Sequence, residues 1–420
     1  MNIKARDKAI LVGCGLKTDS FMDLKESLCE LEDLARAAGA EVVGSLVQNV
    51  TSLNPATLIG SGKLDELNEM TKELEPKVVI FDHHLSGVQT RNLEATLNVR
   101  VLDRSQLILD IFAMRAQTYE GKLQVELAQM LDQMPRMVNA WMGSLSRLGG
   151  GVGTRGPGET ALEMDRRRIR DRVKTIRKRL DSVRNHRSQH RAARKKNKIP
   201  SFALIGYTNS GKSTLLNVLT KSNVLALDQV FATLDPTTRK LHLPNGQQSV
   251  VTDTVGFIRK LPPELIEAFK ATLEETAEAD VLLHVVDLSS PHMQMQMDTV
   301  EALMKEFNWT HKPIITVFNK VDVAPFSRQF HIQAHPRVFI SAHTGEGIER
   351  LKGLMTEFAE RMGEEVQLYF PRAEEHRIYD LGRETQILKK ESASSGTVCY
   401  AQMTPTLLTR WKEFLVTVEV

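Results

Sequence analysis

Residues 202–216 read FALIGYTNSGKSTLL, and this stretch decides the fold. The apolar run Phe202 to Ile205 leads into Gly206, Gly211, Lys212 and Ser213, which fill the spacing G-x-x-x-x-G-K-[ST], and helix-forming residues continue to Leu219. Strand, loop and helix in that order are the context in which this spacing holds phosphate. The glycines let successive N–H groups converge on one anion, with Tyr207, Thr208, Asn209 and Ser210 supplying the backbone between them, and the helix N-terminus adds a favourable dipole. Lys212 is expected to reach the outer phosphates and Ser213, followed by Thr214, to offer its hydroxyl to Mg2+.

The base is specified further along. Asn319-Lys320-Val321-Asp322 follows the apolar run Ile314 to Phe318, and Ser341-Ala342 follows Val338 to Ile340. A carboxylate at Asp322 accepts from both N1–H and the exocyclic N2–H of guanine, whereas adenine offers no such donor pair and would leave buried groups unsatisfied. Phosphate loop and guanine motifs in this order predict a GTP/GDP site, and the order resembles a Ras-type, translation-factor-class GTPase domain. In the interval before it, residues 229–239 (QVFATLDPTTR) fall where such domains place switch I. That segment needs a threonine for Mg2+ and the γ-phosphate; Thr233 is the first choice and Thr237 the second, with Phe231 and Ala232 beside it. A hairpin from Lys240 to Leu243 and Gln248 to Asp253 then delivers Asp253-Thr254-Val255-Gly256. Asp253 is expected to hold the Mg2+ hydration shell through water, and the Gly256 N–H to sense the γ-phosphate. Lys212, Thr233 and Gly256 are therefore the catalytic candidates.

Phe257 stands where Ras-like domains carry a glutamine that orients the attacking water, and its ring neither donates nor accepts a hydrogen bond. Intrinsic hydrolysis is expected to be slow, with the missing positioning supplied by a partner or by K+. Asn209 gives the loop the form G-x-x-N-x-G-K-S, similar to GTPases that hold K+ beside the phosphates with that asparagine.

The chain of 420 residues is long enough for two to four domains. No run of about 18 apolar residues is present, and the charged start Met1 to Asp7 does not open a signal peptide, which predicts a cytoplasmic protein with no membrane span. Cys14, Cys29 and Cys399 lack C-x-x-C spacing, against a disulfide framework or zinc knuckle. Net charge is only +3, but residues 155–198 hold 17 Lys or Arg against 5 Asp or Glu. That local excess favours RNA as a partner over a merely solvated helix face.

Read for organisation, the chain divides into four parts. Residues 1–104 alternate strands (Ala9 to Val12, Glu41 to Leu46, Val78 to Phe81, Val99 to Leu102) with helices (Asp19 to Ala38, Lys63 to Leu74, Ser86 to Leu97), a small α/β unit with a largely parallel sheet. Two decoys lie in it. Gly60-Ser61-Gly62-Lys63 imitates the end of a phosphate loop but lacks its first glycine and its Ser or Thr, and reads as a turn opening a helix. Asp82-His83-His84 resembles the metal triplet of DHH phosphoesterases without companion aspartates, and reads as a strand-end loop. Residues 105–198 form a basic helical hairpin. Its first helix spans Arg104 to Met142 with bends at Gly121 and Pro135, its second Glu159 to Lys196, and a glycine-rich tip occupies 149–158. Helices of 35 to 40 residues would extend about 50 to 60 Å. A probe with a mobile tip and a helical pair packed flat on another domain are both open readings. Residues 199–362 form the GTPase domain and 363–420 a small α+β domain with strands Glu365 to Phe370 and Gly396 to Met403 and a helix from Thr404 to Leu415.

Helical arm, glycine tip and GTPase domain together resemble the HflX family of ribosome-associated GTPases. The residues that carry this are Phe81-Asp82-His83, Asp103-Arg104 with Leu109 to Phe112, Glu120 to Leu127, Arg155 to Thr160, Gly206 to Ser213, Phe231 to Thr237 and Asp253 to Phe257. The resemblance covers residues 8–360 and implies binding, as a monomer, to the large (50S) ribosomal subunit, with rRNA contacts from the basic arm 155–198 and the tip 149–158. It further implies GTP-dependent splitting of stalled 70S ribosomes, in some members those stalled by antibiotic. Two other readings remain: a ribosome-assembly GTPase, and a tRNA-modification-associated GTPase. The latter class ends in a reactive cysteine motif that Cys399 does not supply.

Overall fold

The computed structural model describes residues 7–16, 21–145, 157–196, 199–221, 231, 236–260, 262–331, 334, 336–361, 364–385, 387–393, 395–403 and 405–416. They form two compact units. Residues 149–156 of the glycine tip and Thr233 lie outside the described residues, while Pro157 and Gly158 open the second arm helix.

The first unit comprises residues 1–184 with 227–235 and 258–271. It opens with β1 (Asp7–Leu16), α1 (Phe21–Ala37), β2 (Ala40–Val50), α2 (Ser61–Leu74), β3 (Val78–Phe81), α3 (Gly87–Leu97) and β4 (Arg100–Asp103). The four strands are parallel in the order β2-β1-β3-β4. Crossover helices bury apolar strand residues such as Ile10, Val12, Val79 and Phe81 against Leu67, Leu93 and Leu97. Both helix starts next to β3 and β4 are capping boxes: Ser86 with Gln89 on α3, and Asp103 with Gln106 on α4 (Arg104–Arg115).

The first arm helix departs from the expected single element. It breaks into α4 and α5 (Tyr119–Leu145) because Ala116 turns to extended backbone (φ −63°, ψ 109°) and the Thr118 hydroxyl accepts from the Gly121 N–H to start a new helix. Gly121 therefore sits in the first turn rather than at a bend, and Pro135 lies inside α5. At 27 residues α5 spans about 40 Å, whereas α6 (Pro157–Lys196), with 40 residues, spans about 60 Å. On α6, Val173, Ile176 and Leu180 are buried at helical spacing. Arg172 of α6 donates to Glu126 of α5 at 2.6 Å.

The second unit comprises residues 185–226, 236–257 and 272–420. Its main sheet contains β5 (Ser201–Ile205), β6 (Thr237–His242), β7 (Gln248–Asp253), β8 (Val281–Asp287), β9 (Ile314–Asn319) and β10 (Arg337–Phe339), in the order β10-β9-β8-β5-β7-β6, with only β6 antiparallel. The helices are α7 (Lys212–Thr220), the part of α8 (Pro263–Glu278) from Thr272 onward, α9 (Met293–Glu306) and α10 (Ile348–Arg361). Phe202, Leu204, Leu283, Val285, Val317 and Val338 pack with Leu215, Leu219, Leu351 and Met355 into one core. Met297 and Met304 are buried packing residues. The chain ends in an antiparallel sheet, β11 (Glu364–Pro371), β12 (Ile387–Ala393) and β13 (Gly396–Met403) in the order β11-β13-β12, with α11 (Arg377–Glu384) and α12 (Pro405–Arg410). The expected helix from Thr404 to Leu415 stops at Arg410, where Trp411 (φ −101°, ψ 18°) leads into a 3-10 turn.

Candidate functional site: a phosphate loop at the carboxyl edge of the main sheet

Parallel strands deliver their loops to one edge, and here that edge collects every described guanine and phosphate motif of the second unit. The phosphate loop leaves β5 at the centre of the sheet, Asp253 ends β7 on one side, and Asp287 and Asn319 end β8 and β9 on the other. Two positions admit only glycine. Gly206 has φ +151° and a Cβ there would lie 2.2 Å from the Val285 carbonyl oxygen; Gly211 has φ +90° and a Cβ would lie 2.2 Å from the Asn319 amide nitrogen.

Lys212 opens α7 and is 6% exposed. Its ammonium donates to the carbonyls of Gly206 (3.1 Å) and Tyr207 (2.7 Å). Burial pulls its pKa down to about 8, against the opposing pull of Asp253. The Ser213 hydroxyl donates to Asp253 Oδ2 at 2.6 Å, so the two expected Mg2+ residues meet although 40 positions apart. Thr214 follows, half-buried on α7. Tyr207 and Thr208 are buried, while Asn209 is exposed in left-handed backbone (φ +59°).

The segment after β7 pairs with the loop. The Phe257 N–H donates to the Gly206 carbonyl (3.0 Å), and the Thr208 N–H donates to the Phe257 carbonyl (2.8 Å). A Cβ on Gly256 would lie 3.1 Å from Lys212 Nζ, which sets that backbone beside the ammonium. The Thr254 hydroxyl donates to the Leu204 carbonyl at 2.6 Å, and Val255 is buried. Phe257 is itself buried, so its ring belongs to the core rather than to the solvent side of the loop.

Asn319 joins three motifs. Its amide donates to the Ser210 carbonyl (2.9 Å), its Oδ1 accepts from the Ala342 N–H (2.9 Å), and Gly211 packs against it. Lys320, with φ +65°, pairs with Asp287 at 2.8 Å. Ser341 is buried, its hydroxyl accepting from the Thr344 N–H, and Asp322 is exposed. Thr237, the second choice for switch I, faces Asp253 in the β6–β7 register. Phe231 falls in the first unit, where its ring meets Phe112; Ala232 and Thr233 lie outside the described residues.

Sequence reasoning missed His284. It sits in β8 beside Ile205, is 3% exposed, and burial together with the Lys212 charge pushes its pKa down to about 4. A histidine inside the apolar run VLLHVVD was the available signal.

Central sheet, phosphate loop and guanine motifs define a P-loop GTPase. The sequence matches the families described as GTP-binding GTPase N-terminal (residues 25–113), GTP-binding GTPase Middle Region (115–194) and 50S ribosome-binding GTPase (201–320). It is 47% identical to the GTPase HflX of Lacrimispora saccharolytica over 93% of this chain and 92% of that one. Identity is 44% to that of Caldanaerobacter subterraneus (98% and 95%) and 42% to that of Escherichia coli (92% and 91%). The chain belongs to the HflX family and hydrolyses GTP. Among solved structures, a complex of SsGBP with GDP aligns over 85% of this chain and 99% of that one, at 24% identity and a TM-score of 0.47.

Proposed function

We infer that this GTPase binds the large (50S) ribosomal subunit and splits stalled 70S ribosomes in a GTP-dependent way, with hydrolysis stimulated by the ribosome and used for release. Rescue of heat- or antibiotic-stalled ribosomes follows from the same activity, in the cytoplasm. The observation that carries the reading is α6, on which Arg167, Arg170, Lys174, Lys178 and Arg179 face solvent while Val173, Ile176 and Leu180 are buried. A helix anchored on one face and cationic on the other suits an RNA backbone. The description of residues 201–320 as a 50S ribosome-binding GTPase supports the same partner. Among the described residues no helix is long and apolar enough to cross a membrane.

At the site, Lys212 and the N–H groups of the loop would hold the β- and γ-phosphates, the Gly256 N–H and Thr233 would sense the γ-phosphate, and Asp322 with Asn319, Lys320, Ser341 and Ala342 would bind guanine. Ser213 and Asp253 offer hard oxygen donors 2.6 Å apart, a set that fits Mg2+. That ion, when bound, neutralises charge on the phosphate oxygens. Asn209, exposed at the loop's rim, is the residue for K+; faster hydrolysis in K+ than in Na+ is expected, and equal rates would remove the idea.

Sucrose-gradient sedimentation of 70S ribosomes with the chain and a non-hydrolysable GTP analogue tests the reading. Conversion to 30S and 50S peaks, with 50S binding that weakens steeply as salt rises, is the expected result. Binding only to immature particles would point instead to ribosome assembly, and association with tRNA alone to tRNA modification.

A further inference from the structure

In the first unit, α4 carries two fully buried side chains that meet segments from much later in the chain. Arg104, its first residue, donates to Asp82 Oδ1 at 2.8 Å, to Glu30, and to the Arg259 carbonyl at 3.4 Å. Asp82 Oδ2 accepts from Ser27 Oγ (2.7 Å) and from Lys260 Nζ (2.5 Å), and Lys260 also donates to Ser27 at 3.1 Å. Two turns along α4, the Phe112 ring meets Phe231 edge-on with centroids 4.4 Å apart. Phe231 is 2% exposed and has φ +55°, a backbone that a non-glycine residue keeps only when its surroundings hold it.

Asp82 directly follows β3, which lies beside β1 where the strand order turns. In open α/β sheets the crevice outside the carboxyl ends at such a point is where ligands sit. Here the Lys260 ammonium pairs with Asp82 at that edge.

We propose that α4 reads the nucleotide state of this GTPase, taking the segment before β6 through Phe231 on Phe112 and the segment after β7 through Lys260 on Asp82 and Arg104. The proposal rests on residues 229–239 and 253–257 being the nucleotide-sensing segments. Lys260 follows Phe257, which is hydrogen-bonded to the phosphate loop, by three residues, a reach of at most about 10 Å. The contact is built to release. Lys260 is 42% exposed, whereas Arg104 is 3% exposed and stays paired with Asp82 when Lys260 leaves, so departure strands no buried charge. Asp82 stays anionic: burial favours its neutral form, but Arg104 and Lys260 outweigh that and hold its pKa below the usual range.

Hydrogen exchange on the full chain, with Mg2+ and either GDP or a non-hydrolysable GTP analogue, tests this. Wild type is expected to differ between the two states by about fivefold or more in exchange at 82–86 and in α4. Lys260→Met should abolish the difference at 82–86 and Lys260→Arg should restore it. The double variant with Phe112→Leu, which keeps an apolar side chain in the core, should abolish the difference in α4 as well. Affinity for labelled GDP and GTP, measured in parallel, separates loss of reading from loss of nucleotide binding. A wild type with no state difference, or a double variant that binds both nucleotides and keeps the full difference, would overturn the proposal.

Discussion

Two stretches of this chain lead a Gly-Lys pair into a helix, and only one is built to hold phosphate. At Gly60 to Lys63 the backbone before α2 is ordinary extended chain (φ −69°, ψ 159°), Gly62 has open space where a Cβ would go, and Lys63 forms a surface pair with Glu66. At Gly206 to Ser213 two glycines hold conformations and close approaches that no other residue tolerates, and the lysine is buried against carbonyl oxygens. The difference lies in the neighbours. The second loop leaves a central strand and is gripped by Asn319 and Asp253 from other strand ends and by Phe257 beyond β7, whereas at the first the Gly60 N–H donates to the Gln48 side chain of β2.

Substitution of the two lysines should separate the stretches most sharply. Lys212→Ala is expected to lower GTP turnover by about 10²–10³-fold, as loss of one preorganised charge at the transferring phosphate does. Lys63→Ala removes an exposed pair worth about 0–1 kcal/mol and should leave turnover unchanged. Steady-state phosphate release on both variants checks this, and equal losses would erase the distinction.

A smaller effect follows from the buried histidine behind the loop. His284 stays neutral in the folded state down to about pH 4, while the unfolded chain protonates near 6.5. The unfolded state therefore binds the extra proton between those values, and stability is lost as pH falls from 6.5 towards 4, by about 3 kcal/mol at most. His284→Gln should flatten that part of the pH dependence in urea titrations; an unchanged slope would assign the acid sensitivity to other groups.

Smaller still is the alkaline limb of nucleotide binding. With its pKa near 8, the Lys212 ammonium loses its proton as pH rises through that value, and phosphates bind the charged form. Labelled GDP should bind about tenfold more weakly at pH 9 than at pH 7. A flat profile would show that the loop's N–H groups carry the affinity without the lysine charge.

The same contrast explains what the sequence made legible. The phosphate loop, Asp253 and the guanine motifs were readable because each is a short run whose chemistry demands fixed spacing after a strand. Asn319 bridging Ser210 and Ala342, and His284 beside Lys212, were not, because they depend on which strands lie next to β5. The break between α4 and α5 escaped because apolar residues continue at helical spacing across it; the Thr118 cap was the signal passed over. In the C-terminal sheet, β12 is almost wholly exposed, so ILKKESA shows no alternation, and lysines at an edge strand discourage pairing rather than announce a strand. The partners of Asp82 were equally out of reach: the residue directly follows β3, and its carboxylate pairs with Arg104 and Lys260, neither of which is near it in the sequence.

Central to the account is the proposal that Phe257, buried where Ras-like domains carry the water-positioning glutamine, leaves efficient hydrolysis to a partner bound by the basic helix. The most direct test is the GTP hydrolysis rate of the full chain in K+ buffer, alone and with purified 50S subunits. The account predicts slow turnover alone and an acceleration of about 10²-fold or more with 50S. An unchanged rate with GTP binding intact would contradict it and turn attention to a different RNA partner.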